Sequence, residues 1–245
     1  MYTPTVRKKA FPGFTGADLK MIAVFTMLLD HIGAVILEPG YLVPMLQNVS
    51  DSFTNRDLII YNTDMVLRSL FGRMAFPIFA FLLVEGFVHT SSRTRYLLRL
   101  LAFALISEIP FDLAFRGKIL EFSYQNVFFT LAAGFAAMMI LERFSGQKVL
   151  RFLGPVLAGA LCTLLQTDYS WMGILAITLL YLFRGNRRRQ TIAGCLSLLW
   201  EPTACLAFLP IYRYNGERGS SLKYAFYLFY PLHLLLLTGL RVLIF

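Results

Sequence analysis

Long apolar segments alternate with short polar or basic segments along the chain, and this pattern predicts a bundle of membrane helices. A hydrocarbon layer of roughly 30 Å needs about 20 helical residues for each crossing, so the segments predict an all-α polytopic fold of about eight spans, within a range of about seven to nine. The predicted spans are Leu19–Leu37, Val66–Val88, Tyr96–Phe115, Asn126–Leu141, Val149–Leu165, Ser170–Phe183, Thr191–Tyr212 and Lys223–Phe245.

Polar interruptions set the limits of these spans. The first is expected to stop at the Glu-Pro-Gly sequence of residues 38–40, and the polar segment Tyr41–Thr63 is expected to form a cap or lid. The polar segment Ser123-Tyr124-Gln125-Asn126 is expected to cap the start of the fourth span. The sequence Glu201-Pro202 breaks the segment Thr191–Tyr212, which we count as one interrupted span, although a second crossing stays open.

Composition supports a lipid environment for the whole chain. Hydrophobic residues make up 57% and charged residues 15% of the 245 residues, with a mean hydropathy of +0.62. About a quarter of a soluble domain is charged. No segment has the composition of a linker, so we predict one integral membrane domain over residues 1–245, with the lipid bilayer as a partner.

The net charge of +9 fits membrane topology better than nucleic-acid binding. Most basic residues fall between apolar spans, and assigning the richer side to the cytoplasm predicts that both termini are cytoplasmic. The first apolar run is as long as a span and has no small-residue cleavage site, so no cleavable signal peptide is predicted.

Soluble-enzyme and metal templates do not fit the sequence. The three cysteines lie in apolar segments without metal-ligand spacing, and no disulfide framework or metal site is predicted. The chain also lacks a phosphate-cradling glycine loop, a metalloprotease helix motif and a nucleophile elbow.

Acidic and imidazole groups inside three neighbouring spans indicate a functional site. Ionisable groups are costly in lipid and need partners or a function there. Held by a carboxylate, a neutral His31 could serve as a general base. Asp30 is its neighbour, but adjacent helical side chains point about 100° apart, so Glu108 or Asp112 on another span is the better partner. A histidine that only packs between helices is the alternative.

A second group follows the second span. Glu85 and His89 share a helix face, and Arg93, Arg95 and Arg99 come next. Three guanidinium groups beside a polar pocket suit phosphate binding. Basic residues that only set the topology would give the same pattern.

Two classes of function remain open from these residues. An enzyme would use the buried groups for catalysis, and a transporter or channel would use them as a proton or substrate path. No internal repeat is visible, which disfavours a transporter built from inverted halves. His233, on an aromatic-rich span, fits either a structural role or a second contact in the active site.

The chain resembles the TraX family of polytopic bacterial membrane proteins. The resemblance rests on segments that follow one another in the family's order, whereas the fifth and sixth spans match more loosely. The matching segments are Leu19–Gly33 with its Leu-Leu-Asp-His-Ile-Gly sequence, Gly72–Thr90, Arg95–Phe115 and Tyr214–Leu234.

This resemblance implies acyl transfer in the bacterial cytoplasmic membrane. The family's named activity is acetylation of the N-terminus of conjugative pilin. It also looks related to larger membrane acyltransferases, which use a histidine on an early span, and that position maps to His31. Acetyl-CoA is thus the expected donor, and the acceptor is an amine or hydroxyl at the outer face, on a pilin-like N-terminus or an envelope glycan. The Tyr41–Thr63 segment is where acceptor differences are expected.

The combined prediction assigns a role to each polar residue. The expected catalytic residues are His31, Asp112, Glu108 and Asp30. The expected contacts of the coenzyme are Arg93, Arg95, Arg99, His89 and Glu85. The expected substrate contacts are Arg73, Asn126 and His233.

Overall fold

The computed structural model describes residues 13–47, 54–220 and 223–245, and within these ranges the chain is helical with no strand. The all-α prediction is confirmed for these residues. The described ranges contain nine helices in this order: α1 Gly16–Gln47, α2 Asn55–His89, α3 Arg93–Arg116, α4 Val127–Arg143, α5 Leu150–Leu164, α6 Ser170–Leu182, α7 Arg187–Ser197, α8 Pro202–Tyr212 and α9 Lys223–Ile244. By length and composition, α1, α2 and residues Ala225–Ile244 of α9 can cross a membrane.

Side-chain caps define several helix starts. Thr15 and Asp18 form a reciprocal capping box at α1, and Thr54 and Asp57 form another at α2. Asn126 accepts a hydrogen bond of 3.0 Å from the Phe128 N–H, which confirms the cap predicted for α4. These caps satisfy backbone donors that have no partner within the helix.

The first helix does not stop at residues 38–40 as predicted. It continues through them in wide π-type turns over Gly33–Leu42 and ends at Gln47. Proline removes one backbone donor and collides with the carbonyl four residues earlier, and a wider turn moves that carbonyl away. Residues 41–47 and 55–63 of the predicted loop are therefore helical, and residues 48–53 lie outside the described ranges.

The interrupted segment 191–212 forms a hairpin that enters the bundle and returns. The guanidinium of Arg187, at the start of α7, lies 5.3 Å from the ring of Tyr214, just after α8. Glu201, between the two helices, reaches Arg73 about midway along α2. Each of these helices has 11 residues, about half of what one crossing needs.

The hairpin changes the predicted topology. The Phe14 N–H donates to the Arg213 carbonyl at 3.0 Å, so α9 begins at the end of the bundle where α1 begins. At the far end, the ring of Phe245 lies 4.7 Å from that of Tyr41. Phe14 and Phe245 therefore lie at opposite ends of the bundle, and the expectation that both termini lie on one side is not confirmed. Arg213 and Arg218 also move to the end that already holds most basic residues.

The helices pack around an apolar core. Helix α4 packs against α3, α5 and α6, and α9 packs against α3 and α1. Phe81, Phe87 and Phe135 are fully buried, while Phe25, Leu105 and many other large apolar side chains face outward. An apolar outer surface of this extent suits contact with lipid.

Candidate active site

One cavity of about 680 Å³ extends from an end of the bundle to the middle of α1. Basic side chains from three parts of the chain line its outer part, and we call this group the basic mouth: Lys20, Arg95, Arg99 and Arg218. The deep part is lined by Asp30, His31, Asp168, Tyr169 and Tyr230. The cavity thus connects a cationic surface with ionisable groups inside the bundle.

His31 forms a pair with a second histidine at the deep end. Its Nδ1 lies 2.6 Å from Nε2 of His233, and the two rings are parallel within 5°, with centroids 4.8 Å apart. Nδ1 of His233 lies 2.7 Å from the Phe229 carbonyl oxygen. Phe115 and Tyr230 present ring edges to His31 at 5.5 Å and 6.0 Å. Both histidines are buried, and His31 alone of the two lines the cavity.

Asp30 lies on the other side of His31 and joins an ionic group between α1 and α2. Its Oδ2 is 3.9 Å from His31 Nε2, and its Oδ1 is 3.8 Å from Nε of Arg68. Arg68 also pairs with Glu38 at 2.6 Å. The helices approach closely here because position 72 is glycine: a Cβ at Gly72 would lie 2.4 Å from Asp30 Oδ1.

Two loops bring further polar groups to the same depth. Arg73 Nη1 pairs with Glu201 Oε1 at 3.2 Å, at the tip of the α7–α8 hairpin. Asp168, in the loop between α5 and α6, accepts a hydrogen bond of 2.9 Å from the Tyr124 hydroxyl. Burial raises the pKa of Asp168 to about 6, although this hydrogen bond favours the charged form.

Comparison with known proteins identifies the family of this chain. The family profile described as TraX protein matches residues 15–241. The chain belongs to the TraX family. It is also 29% identical over 261 residues to "Probable fimbrial assembly protein FimC, serogroup H1" of Dichelobacter nodosus, over 94% of this chain and 96% of that protein. No solved structure matches.

The resemblance predicted from the sequence is confirmed by this match. Together with the apolar helices, it identifies the chain as a membrane protein. Within the ranges that the structure describes, no three His, Cys, Asp or Glu side chains come together to hold a metal ion.

Glu108 and Asp112, the expected partners of His31, have other partners in this TraX-family protein. Glu108 accepts a short hydrogen bond from the Asn126 amide, which also donates to the Ala104 carbonyl at 2.8 Å. Asp112 accepts from the Glu121 N–H at 2.8 Å. Asn126 thereby links α3 to α4, and among the described residues neither acid contacts His31.

The second predicted group, at the end of α2 and the start of α3, is divided between the cavity and the outer surface. Glu85, His89, Arg95 and Arg99 line the cavity. His89 bonds the Glu85 backbone carbonyl at 2.8 Å and not its carboxylate. Arg93 lies outside the cavity, where it pairs with Glu142 at 2.9 Å.

Several lining residues were not predicted from the sequence as part of a site. Lys20 and Arg218 are among the basic residues that the sequence pattern linked only to membrane topology, and Asp168 and Tyr169 fall in a short loop without a motif. The segment Tyr214–Leu234 could have pointed to Arg218, because this conspicuous family-like stretch contains it. Nothing in the local sequence marks Asp168, since it reaches the site only through the packing of α5 and α6.

Proposed function

We propose that this TraX-family protein is a membrane acyltransferase that uses acyl-CoA, with acetyl-CoA as the first candidate donor. The observation that carries this proposal is the cavity that joins the basic mouth to His31. An acyl-CoA is anionic at its nucleotide end and carries its reactive thioester at the end of a long, thin arm. A cationic opening followed by a passage with apolar walls and a polar inner end matches that distribution of charge and shape.

The basic mouth would bind the nucleotide phosphates. Arg95 and Arg99 lie on successive turns of α3, and Lys20 and Arg218 face them from α1 and from the loop before α9. Guanidinium groups bind phosphate oxygens through paired hydrogen bonds. Tyr96 and Tyr227 line the same cavity and would supply aromatic contacts to a base.

At the deep end, His31 would act as general base for the acceptor. The acceptor nitrogen or oxygen attacks the thioester carbonyl while His31 Nε2 takes its proton. The new C–N or C–O bond forms, the C–S bond breaks, and the coenzyme leaves as a thiolate that receives a proton to become the thiol. Asp30, 3.9 Å from Nε2, would stabilise the imidazolium.

The tetrahedral intermediate also needs a donor to its oxyanion. Arg73 was expected to contact the substrate, but its guanidinium pairs with Glu201 and does not line the cavity. Tyr169 lines the deep end and has a hydroxyl that can donate. We therefore assign the oxyanion contact to Tyr169 and a supporting role to Arg73.

The acceptor is proposed from the family and its relative. A fimbrial or pilin-like N-terminal amine is the first candidate, because the curated relative carries the name of a fimbrial assembly protein. An envelope glycan hydroxyl is the second. The proposed location is the bacterial cytoplasmic membrane, with the basic mouth toward the cytoplasm, where the positive-inside rule places basic residues.

Calorimetry with acetyl-CoA on the detergent-purified protein tests the donor site. The Arg95→Ala/Arg99→Ala variant should bind at least about tenfold more weakly, the equivalent of about 1.4 kcal/mol, since it loses charge-assisted hydrogen bonds. The matched control is Arg143→Ala/Arg188→Ala, which removes the same charge from exposed positions outside the cavity. The control should bind like the wild type.

Two further results decide between functions. His31→Ala should fold and bind acetyl-CoA yet lose transfer to an amine, whereas full retained transfer would remove His31 from the base role. If folded wild-type protein bound no acyl-CoA, the acyl-donor proposal would fall. Substrate flux in liposomes would then test the transporter alternative.

A further inference from the structure

We propose that His233 is a positioning residue that holds His31 in the tautomer protonated at Nδ1, so that Nε2 of His31 is the basic nitrogen facing the cavity. The tautomer itself follows from hydrogen bonding within the protein. Its catalytic consequence rests on the proposed function.

The hydrogen-bond chain determines the position of each proton. A carbonyl oxygen can only accept, so His233 Nδ1, 2.7 Å from the Phe229 oxygen, must donate. A neutral imidazole carries one N–H, and His233 Nε2 is therefore an acceptor. His31 Nδ1, 2.6 Å away, must then donate to it, which leaves the lone pair of His31 on Nε2.

Asp30 does not oppose this assignment. Its Oδ2 lies 3.9 Å from His31 Nε2, beyond hydrogen-bond distance, so it does not require a proton on that nitrogen. It is close enough to stabilise a positive charge once Nε2 has accepted a proton. The charged and titratable groups around His31 are Asp30 on α1, Arg68 on α2 and Tyr230 on α9.

Packing keeps the two rings in register. His233 is held between His31, parallel within 5°, and Phe229, whose ring lies 4.5 Å away at 12°. His233 is 4% exposed and does not line the cavity, so it cannot reach a substrate there. Its nitrogens are both occupied, one by a carbonyl and one by His31. These contacts suit a residue that orients the base and not a second base.

This arrangement differs from the one expected from the sequence, in which a carboxylate orients the histidine. In a triad, the third group fixes the tautomer of the base, and the wrong tautomer costs about 10⁴-fold in rate. Here an imidazole backed by a carbonyl takes that position. The pair is neutral in the resting state, which avoids a second buried charge beside Asp30.

Nitrogen NMR on histidine-labelled protein tests the tautomer without any substrate. The chain has three histidines, so the spectrum can be assigned with single variants. Wild-type His31 should show a protonated Nδ1 and an unprotonated Nε2. In His233→Leu this preference should be lost, whereas His233→Gln should keep it, because a glutamine oxygen can accept from His31 Nδ1. His89, bonded to Glu85 in another part of the cavity, is the internal control and should not change.

Kinetics of acetyl-CoA turnover with a short peptide amine test the catalytic consequence. His233→Leu should lower kcat by about 100-fold or more with little change in KM for acetyl-CoA, and His233→Gln should recover most of kcat. A folded His233→Leu protein with wild-type kcat and an unchanged His31 tautomer would overturn the proposal. So would wild-type His31 protonated at Nε2, a result that needs no variant to fold. If wild-type His31 showed the expected tautomer but the protein neither bound nor used acetyl-CoA, the proposed function would fall while the hydrogen-bond assignment stood.

Discussion

Replacing Arg73 with methionine is expected to destabilise the protein by about 3 kcal/mol, because Glu201 depends on its guanidinium. The pair is 3.2 Å apart, and the Glu201 side chain is only 15% exposed. The second oxygen of Glu201 is buried and has no hydrogen-bond partner among the described residues. Breaking a buried pair costs about 3–5 kcal/mol, and the 30% exposure of Arg73 favours the lower value.

A double-mutant cycle separates this pair from general damage. Glu201→Gln alone should destabilise the protein less, by about 1–2 kcal/mol, because it removes the more buried charge. The double variant should be more stable than the sum of the two single effects predicts, with a coupling energy between the two positions of about 1–3 kcal/mol. Thermal unfolding in one detergent measures all variants, and a loss of about 3 kcal/mol corresponds to a fall in Tm of about 6–12 °C for a chain of this size.

The control is Lys118→Met, which breaks the Lys118–Glu121 pair at the surface. Its lysine side chain is 64% exposed, so the Tm should stay close to that of the wild type. Additive effects of Arg73→Met and Glu201→Gln, or an Arg73→Met shift no larger than that of the control, would refute the reasoning.

Three further predictions concern single positions. Gly72→Ala should displace the carboxylate of Asp30 and lower acetyl-CoA turnover, because the new Cβ would lie 2.4 Å from Oδ1 of Asp30. The control Gly146→Ala adds a methyl group in open space and should leave turnover unchanged. Asn126→Ala should lower the free energy of unfolding, measured by thermal unfolding, by about 3 kcal/mol, because it leaves the buried carboxylate of Glu108 without its hydrogen-bond donor. The folded fraction of this variant should still bind acetyl-CoA. The pKa of Asp168 is raised from 3.8 to about 6, so the folded state binds its proton more tightly than the unfolded chain, and stability is lost as pH rises through this range. Asp168→Asn should reduce the loss of stability between about pH 4 and about pH 7 by about 2 kcal/mol, measured by unfolding at both pH values. The same pH dependence in the variant and the wild type would contradict the raised pKa of Asp168.

Local patterns predicted the helices well where their causes are local. The N-cap at Asn126 follows from its own side chain, and the limits of Ser170–Leu182 differ by one residue from the predicted span. The prediction failed at residues 38–40, where tertiary packing and wide turns accommodate a proline that usually ends a helix. The position of Glu201 was visible as a break, but a break alone does not tell whether the chain crosses or returns.

The site could be predicted only in part, because its partners are distant in sequence. His31 stood out as an ionisable group in an apolar segment, yet its hydrogen-bonded partner His233 is 202 residues away. The rule that adjacent helical side chains diverge also underestimated Asp30, whose carboxylate comes within 3.9 Å of the ring because both side chains are turned toward the same cavity. Arg93 and Arg95 looked equivalent in sequence, but a neighbouring acid on α4 holds Arg93 outside the cavity.

The return of the α7–α8 hairpin has a practical consequence for reporter fusions. Since α9 starts beside Phe14 and ends beside Tyr41, a tag after Phe245 and a label near Gly16 lie at opposite ends of the bundle. With the basic mouth in the cytoplasm, a fluorescent protein that matures only in the cytoplasm would stay dark at the C-terminus of a correctly folded chain. Loss of signal from such a fusion would therefore not by itself indicate a failure to fold.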